Sequence, residues 1–240
     1  MKWNALIFAA GFGSRMQHLT SEIAKPALRV GDETLLSRLI RQISSASNIS
    51  DIYVNCSYKP ETVVHAISES PHGRNVKIVW ESEPIGTSRS LLVVTELAGT
   101  DVLAIHGDLF LDDKWLENIV QEMNADSDYS QVVIHRRKRV LARSEVNLEQ
   151  NLVVSITKPP FLRSEFPEEE VWSNSGIYLI RSKHLQGVDF RNIDKSEIVD
   201  GILQHLISRQ LLKAVQFSGY RHSVENPHDL SKLRASIENP

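Results

Sequence analysis

The chain has 240 residues, 41% of them apolar and 24% charged, and its 27 Lys plus Arg against 30 Asp plus Glu leave a net charge of −3. This is the balance of an ordinary globular chain with one sizeable core, and it argues against a nucleic-acid binder built on a broad basic face. A single cysteine, Cys56, excludes an intramolecular disulfide and a Cys-based zinc cluster, and no apolar run approaches the roughly 18 residues of a membrane span.

The opening Met-Lys-Trp-Asn leads into a short apolar run and then Gly11. A signal peptide needs a longer apolar region and a cleavage site, so a cytoplasmic protein is expected. Ala5 to Ala10 is an unbroken apolar run ending at glycine, which predicts a strand buried on both faces. Leu35, Leu36, Leu39, Ile40 and Ile43 then follow helical spacing. Ile52 to Val54 reads as a second strand, and Glu61 to Ile67 as a helix opened by Pro60. Val76 to Trp80 predicts a strand, Ser88 to Leu97 a helix and Val102 to Ile105 a further strand. Trp115, Ile119 and Met123 form the apolar stripe of another helix. Such β-α repetition implies a parallel sheet with helices on both faces.

Past Asp126 the pattern changes. Gln131 to Ile134, Glu145 to Leu148 and Leu152 to Ile156 read as strands with short connections. Lys158-Pro159-Pro160 and the acidic stretch from Pro167 to Glu170 mark irregular segments. Val171 to Ile180 predicts a strand interrupted around Asn174-Ser175-Gly176. A helix from Ser196 to Ile207, a strand from Leu212 to Phe217 and a helix from Pro227 to Ile237 complete the chain. The basic run Arg136-Arg137-Lys138-Arg139 is expected to be a solvated connection. With no internal repeat or linker, one α/β domain over 1–240 is predicted, a three-layer α/β/α unit around a mostly parallel mixed sheet. Its two halves, 1–125 and 126–240, share that sheet.

The richest chemistry follows the first strand, in Ala9-Ala10-Gly11-Phe12-Gly13-Ser14-Arg15-Met16. Two glycines there let backbone N–H groups converge on an anion. A dinucleotide fingerprint would place a third glycine where Met16 stands, and the Gly-Lys-Ser/Thr of a P-loop is absent. Arg15 closes the turn, Thr20 follows, and Lys25-Pro26 comes before Leu28. The stretch resembles the signature of the sugar-phosphate nucleotidyltransferase family: Ala-Ala-Gly-x-Gly-x-Arg, a spacer, then Pro-Lys-Pro-x-Leu, with Ala24 in place of the first proline.

The resemblance continues down the chain. Glu81-Ser-Glu-Pro-Ile-Gly86-Thr87 is similar to the family's loop against the nucleotide base, with Glu81 as an acceptor for base N–H groups. His106-Gly107-Asp108, ending a strand, resembles the element whose aspartate binds Mg²⁺, a cation that takes one or two carboxylates plus substrate phosphates. Ile156-Thr-Lys158-Pro159 is similar to the Glu-Lys-Pro whose lysine meets the sugar phosphate, and Asn174-Ser175-Gly176-Ile177-Tyr178 to the Asn-x-Gly-x-Tyr that admits the sugar. At Ser223-Val-Glu225-Asn-Pro227-His-Asp229-Leu230 the family's second metal-binding aspartate falls on Ser223. Glu225 is the carboxylate able to substitute if the local backbone shifts.

The resemblance therefore implies a Mg²⁺-dependent nucleotidyltransferase joining an NTP to a sugar 1-phosphate, with a nucleotide sugar and pyrophosphate as products. Surface-polysaccharide or cell-envelope sugar synthesis is the implied setting. The nucleotide would rest on Ala9, Ala10, Gly11, Gly13, Ser14, Arg15, Lys25, Glu81, Gly86 and Thr87. The sugar phosphate would meet Asp108, Glu145, Lys158, Asn174 and Gly176. Arg15, Lys25 and Asp108 would be catalytic. Two alternatives stay open: transfer to a non-sugar phosphate such as phosphocholine, and a catalytically weakened nucleotide-binding relative. No nucleic-acid or membrane partner is expected, and a homodimer is an open option.

Overall fold

The computed structural model describes residues 2–125, 128–158, 168–186, 188 and 196–238. In the first half the strands are β1 (Trp3–Phe8), β2 (Arg29–Val30), β3 (Glu33–Thr34), β4 (Ile49–Cys56), β5 (Val76–Trp80), β6 (Val102–His106) and β7 (Leu109–Leu111). The second half adds β8 (Ser130–Lys138), β9 (Glu145–Glu149), β10 (Leu152–Thr157), β11 (Glu170–Ile180), β12 (Leu212–Gln216) and β13 (Arg221–Ser223). The α-helices are α1 (Leu35–Ser44), α2 (Pro60–Glu69), α3 (Thr87–Ala98), α4 (Trp115–Ala125), α5 (Ile202–Ser208) and α6 (Pro227–Glu238).

One nine-stranded sheet runs β5-β4-β1-β6-β11-β8-β12-β10-β9. Strands β5, β4, β1 and β6 pair in parallel, and β12 is parallel to β8. Strand β11 is antiparallel to β6 and β8, and β10 to β12 and β9, so only these two oppose the common direction. This is the mostly parallel mixed sheet read from the sequence. The Ile177–Ile105 register of β11 on β6 joins the halves in one sheet.

Period-two alternation explains the layers. In β1, Ala5 and Ile7 enter one core while Leu6 and Phe8 enter the other. The first core takes Leu36, Leu39 and Ile40 of α1, Val63 and Ile67 of α2, and Trp115 and Ile119 of α4. The second takes Leu91 and Leu92 of α3 and Ile202, Leu203 and Leu206 of α5. Helix α1 starts at a capping box, in which Thr34 and Ser37 each accept the other's backbone N–H. Pro60 opens α2 at a position where its missing N–H is no loss. A third core of Met16, Leu28, Phe110, Val224, Leu230 and Leu233 clamps α6 onto the first loop.

Two expectations are corrected. The helix expected from Ser196 begins at Ile202, because Ser196 to Gly201 instead forms turns that dock against Thr87 and Ser88. The basic run is no connection either: Arg136, Arg137 and Lys138 end β8, with Arg136 and Lys138 exposed and Arg137 half-buried, and Arg139 starts a 3₁₀ turn. Pro159, Pro160 and Pro167 lie outside the described residues. Among the described residues no helix is long and apolar enough to cross a membrane.

Candidate active site

A cavity of about 700 Å³ opens where β1, β4, β5 and β6 end, lined there by Ala9, Asn55, Glu81 and Asp108. Carboxyl ends of parallel strands are where this architecture gathers ligands. The first loop forms one lip. Gly13 has φ +62°, and a Cβ there would come within 3.1 Å of the Lys25 Cβ and 3.2 Å of the Thr20 Cγ2. The Thr20 hydroxyl donates to the Gly13 carbonyl at 3.1 Å, and Ser14–Thr20 winds into 3₁₀ turns beyond it. At Gly11 a Cβ would meet only open space. Ala9, Ala10, Gly11, Gly13, Ser14, Arg15 and Lys25 all line the cavity.

Behind the loop lies a buried network that motif spacing alone did not reveal. The Asn55 side-chain carbonyl accepts the Ala9 N–H at 2.7 Å, and its amide donates to Glu81 Oε1 at 2.8 Å and the Ser90 hydroxyl at 3.0 Å. Ser90 donates to Glu81 Oε1 at 2.6 Å, and the Ile85 N–H to Oε2 at 3.2 Å. Glu81, expected to read the base, lines the cavity and through both oxygens also holds its own loop against the glycine turn. Gly86, at φ +87°, caps α3. The Thr87 hydroxyl donates to Glu197 at 3.2 Å and accepts the Ile198 N–H at 2.7 Å.

Across the cavity, the Lys25 ammonium donates to Asp108 Oδ2. Burial pushes the Asp108 pKa up, but Lys25, helped by His106 and Arg221, outweighs it and holds the carboxyl below its usual range. His106 is half-buried and edge-on to Phe8, with a buried Nε2 that has no partner among the described residues, and desolvation lowers its pKa. The closing segment docks here: Ser223 pairs with Leu109, and the Val224 N–H donates to the Asp108 carbonyl at 3.0 Å. Asp229 accepts the Glu225 N–H at 3.0 Å and receives no cavity-facing role, since it caps α6 together with Asn226.

Among the described residues no three His, Cys, Asp or Glu side chains gather as a metal cage. Asp108 and Glu225 do line the same cavity as two carboxylates. Mg²⁺ commonly keeps waters and takes one or two carboxylates plus substrate phosphates. The donor set thus suits an ion brought in on a triphosphate, with Ser223 adding no charge.

The second half builds the opposite wall. Lys158 lines the cavity and pairs with Asp200 at 2.5 Å. A bulge in β11 between Asn174 and Tyr178 lets Gly176 take φ +80°, 3.4 Å from His106 for any added Cβ. Asn174 braces that bulge: its carbonyl accepts the Gly176 N–H at 2.9 Å and its amide donates to the Tyr178 hydroxyl at 2.8 Å. Glu145 lies outside the cavity lining and pairs with Arg139 at 3.3 Å. Its neighbour Ser144 lines the cavity instead and accepts the Asn174 N–H at 3.1 Å.

Three arginines on this wall escaped the motif reading. Glu225 Oε2 receives both Arg15 at 3.0 Å and Arg143 at 2.8 Å. Arg221 donates from Nε to the Ser175 carbonyl at 2.8 Å, and burial lowers its pKa to about 10. Arg137 lines the cavity from β8, while Arg136 beside it stacks on Trp172 and Lys138 pairs with Glu168. The alternation of a strand was the available signal: reading 136–139 as a strand end sends every other residue inward. The lining holds Arg15, Lys25, Arg137, Arg143, Lys158 and Arg221 against Glu81, Asp108, Glu197 and Glu225, a cationic excess in a chain of net charge −3.

A model of the nucleotidyl transferase family matches residues 4–219. The chain is similar to the bifunctional protein GlmU of Methanococcus aeolicus, 24% identical over 98% of this chain and 54% of that one. It is also similar to mannose-1-phosphate guanyltransferase of Yarrowia lipolytica, 22% identical over 93% of this chain and 61% of that one. It thus spans between half and two thirds of these relatives. In fold it resembles a putative glucose-1-phosphate thymidylyltransferase of Bacillus anthracis, solved with sucrose, at a TM-score of 0.81, 20% identity and coverage of 99% and 96% of the two chains. HddC of Yersinia pseudotuberculosis, solved with GMP-PN, superposes at a TM-score of 0.77, 20% identity and coverage of 98% and 99%.

Proposed function

We propose that this chain, which belongs to the nucleotidyl transferase family, transfers a nucleotidyl group from an NTP to a sugar 1-phosphate and releases pyrophosphate. The observation that carries this reading is convergence. The glycine turn with Arg15, the Lys25–Asp108 pair and Lys158 come from separate parts of the chain and line one cavity.

An acceptor phosphate oxygen attacks the α-phosphorus in line. A new O–P bond forms as the bond to the β-phosphate oxygen breaks, and pyrophosphate departs with the electron pair. The protein's share is positioning and charge neutralisation. The open backbone at Gly11 admits the triphosphate, and Arg15 meets charge on the departing pyrophosphate. Lys25, held in place by Asp108, lies between α-phosphate and acceptor, and Lys158 holds the acceptor phosphate. Asp108 and Glu225 are the residues that would hold Mg²⁺ together with the phosphates, and the ion would supply further charge neutralisation.

The charge of the acceptor wall favours a sugar phosphate over phosphocholine. Arg137, Arg143 and Arg221 would repel a quaternary ammonium, which is recognised by aromatic cages. Ser223, in a place where a carboxylate was expected, favours one further reading, a relative that binds nucleotide with little transfer. Measuring pyrophosphate release with four NTPs and a panel of sugar 1-phosphates, with and without Mg²⁺, separates the two. Release dependent on one sugar phosphate is expected. Nucleotide binding without release from any pair would overturn transfer in favour of binding alone.

A further inference from the structure

The acceptor wall holds more positive charge than one phosphate requires. The glycine turn, Arg15 and Lys25 serve the triphosphate, and Lys158 serves the acceptor phosphate, on the reading given above. Arg221 is held on the Ser175 carbonyl, which leaves Arg137 and Arg143. Both belong to the second half, one on β8 and one in the turn before β9, on the wall that also carries Ser144, Ser173 and Asn174. The carboxylates acting on Arg137 are Glu225 and Asp229; Glu225 Oε2 is already bonded to both Arg15 and Arg143, and Asp229 Oδ2 accepts the Glu225 N–H.

The Arg137 side chain makes no hydrogen bond or ion pair with any described residue, although it is partly buried. Burial is the main cause of its lowered pKa; Glu225 opposes that effect and Arg143 adds to it. A guanidinium stays charged under such conditions and presents a planar fork of donors suited to a carboxylate or a phosphate. A partly desolvated guanidinium beside a second one, with no acceptor of its own, is a binding group awaiting an anion.

We propose that the acceptor carries a second anionic group beyond its reacting phosphate, a carboxylate or another phosphate, and that Arg137 together with Arg143 binds it. This assignment rests on the sugar-phosphate reading and narrows it to acidic sugar phosphates. Arg137 acts here as a specificity residue: it contacts a remote group of the substrate and leaves the reacting atoms to Lys25 and Lys158.

The test compares three acceptors, glucose 1-phosphate, glucuronic acid 1-phosphate and glucose 1,6-bisphosphate, with the wild type, Arg137→Gln and Arg137→Lys. At least one acidic acceptor should exceed glucose 1-phosphate in kcat/KM by about ten- to hundredfold, the range for a charge-assisted pair. Arg137→Gln should erase that preference through the acceptor KM, leave the NTP KM within about twofold, and be partly rescued by Arg137→Lys. Which of the two acidic acceptors wins tells carboxylate from phosphate. Equal use of all three acceptors, or an Arg137→Gln effect on the NTP KM alone, would overturn the assignment. If no acceptor supports release, the transferase reading fails and calorimetric titration decides this one separately. Tighter binding of an acidic sugar phosphate, lost in Arg137→Gln, sustains it; equal affinities refute it.

Discussion

Lys25 and Asp108, 83 residues apart in sequence, meet through Nζ and Oδ2 at 2.5 Å, with side chains only 12% and 20% exposed. The pair joins the segment after the glycine turn to the end of β6, so it fixes a cation beside the expected transfer point. Lys25→Met and Asp108→Asn should each lower pyrophosphate release by about 10²–10³, the scale set by loss of one preorganised charge-stabilising group. Each should also lose about 1.5–3 kcal/mol of stability, as for a hydrogen bond to a charged group. Rate and urea denaturation, measured on the same preparations, check this. Turnover within tenfold of wild type would remove both residues from the machinery.

Asn55 ties the Ala9 backbone to Glu81. Asn55→Ala leaves the Ala9 N–H without its partner and takes one of two donors from Glu81 Oε1 in a buried site, a penalty of about 1–3 kcal/mol. The expected kinetic signature is a raised NTP KM with the acceptor KM unchanged, because the network supports the nucleotide side only. Steady-state kinetics with each substrate varied in turn would show the opposite split if this placement were wrong.

Arg181 is buried and donates to Asp101 Oδ2 at 3.0 Å, the Tyr129 carbonyl at 3.1 Å and the Met123 carbonyl at 2.9 Å. It anchors the end of β11 to the segments around β6 and α4, far in role from the cavity. Removing Asp101 takes one charged acceptor from Arg181 and the acceptor of the Ser182 N–H, which costs about 1.5–3 kcal/mol. For a chain this size that is a fall of roughly 3–12 °C in Tm. Asp101→Ala should unfold early in a thermal scan, yet turn over normally per folded molecule at low temperature.

His135 shares a hydrogen bond with the Ser175 hydroxyl at 3.0 Å, and burial, with Arg221 and Arg137 nearby, lowers its pKa to about 3. The unfolded chain protonates this imidazole near pH 6.5, whereas the folded chain keeps it neutral down to about pH 3. Between those values the unfolded state binds more protons, so stability falls as pH drops below 6.5. The slope is at most about 1.4 kcal/mol per pH unit for one group. Urea unfolding at pH 7.5 and 5.0 should show a smaller acid loss for His135→Gln than for wild type. Equal losses in the two proteins would contradict the assignment.

Much of the fold was legible because its signals are local. The buried run at Ala5 to Ala10, the apolar stripe from Leu35 to Ile43 and Pro60 at a helix start each follow from the periodicity or stereochemistry of a short window. The break in β11 was legible for the same reason, since Asn174-Ser175-Gly176 supplies both a side-chain acceptor and a residue able to take positive φ. The start of α5 was not. Ser196 to Gly201 has helix-compatible residues, but its backbone is claimed by Thr87 and Ser88 on another element.

By itself the sequence determined the alternation of strands and helices, the glycine turn and the order of its charged residues, because these depend on neighbours a few positions away. Only the tertiary structure decided what those charges face. Glu81 turned inward to Asn55 and Ser90, Glu145 left the cavity to Ser144, and Arg137 emerged from a basic run to line it. The physical reason is that a side chain's role depends on which partners reach it, and the fold sets these, as where the sheet brings Asn55 to Glu81 across 26 residues.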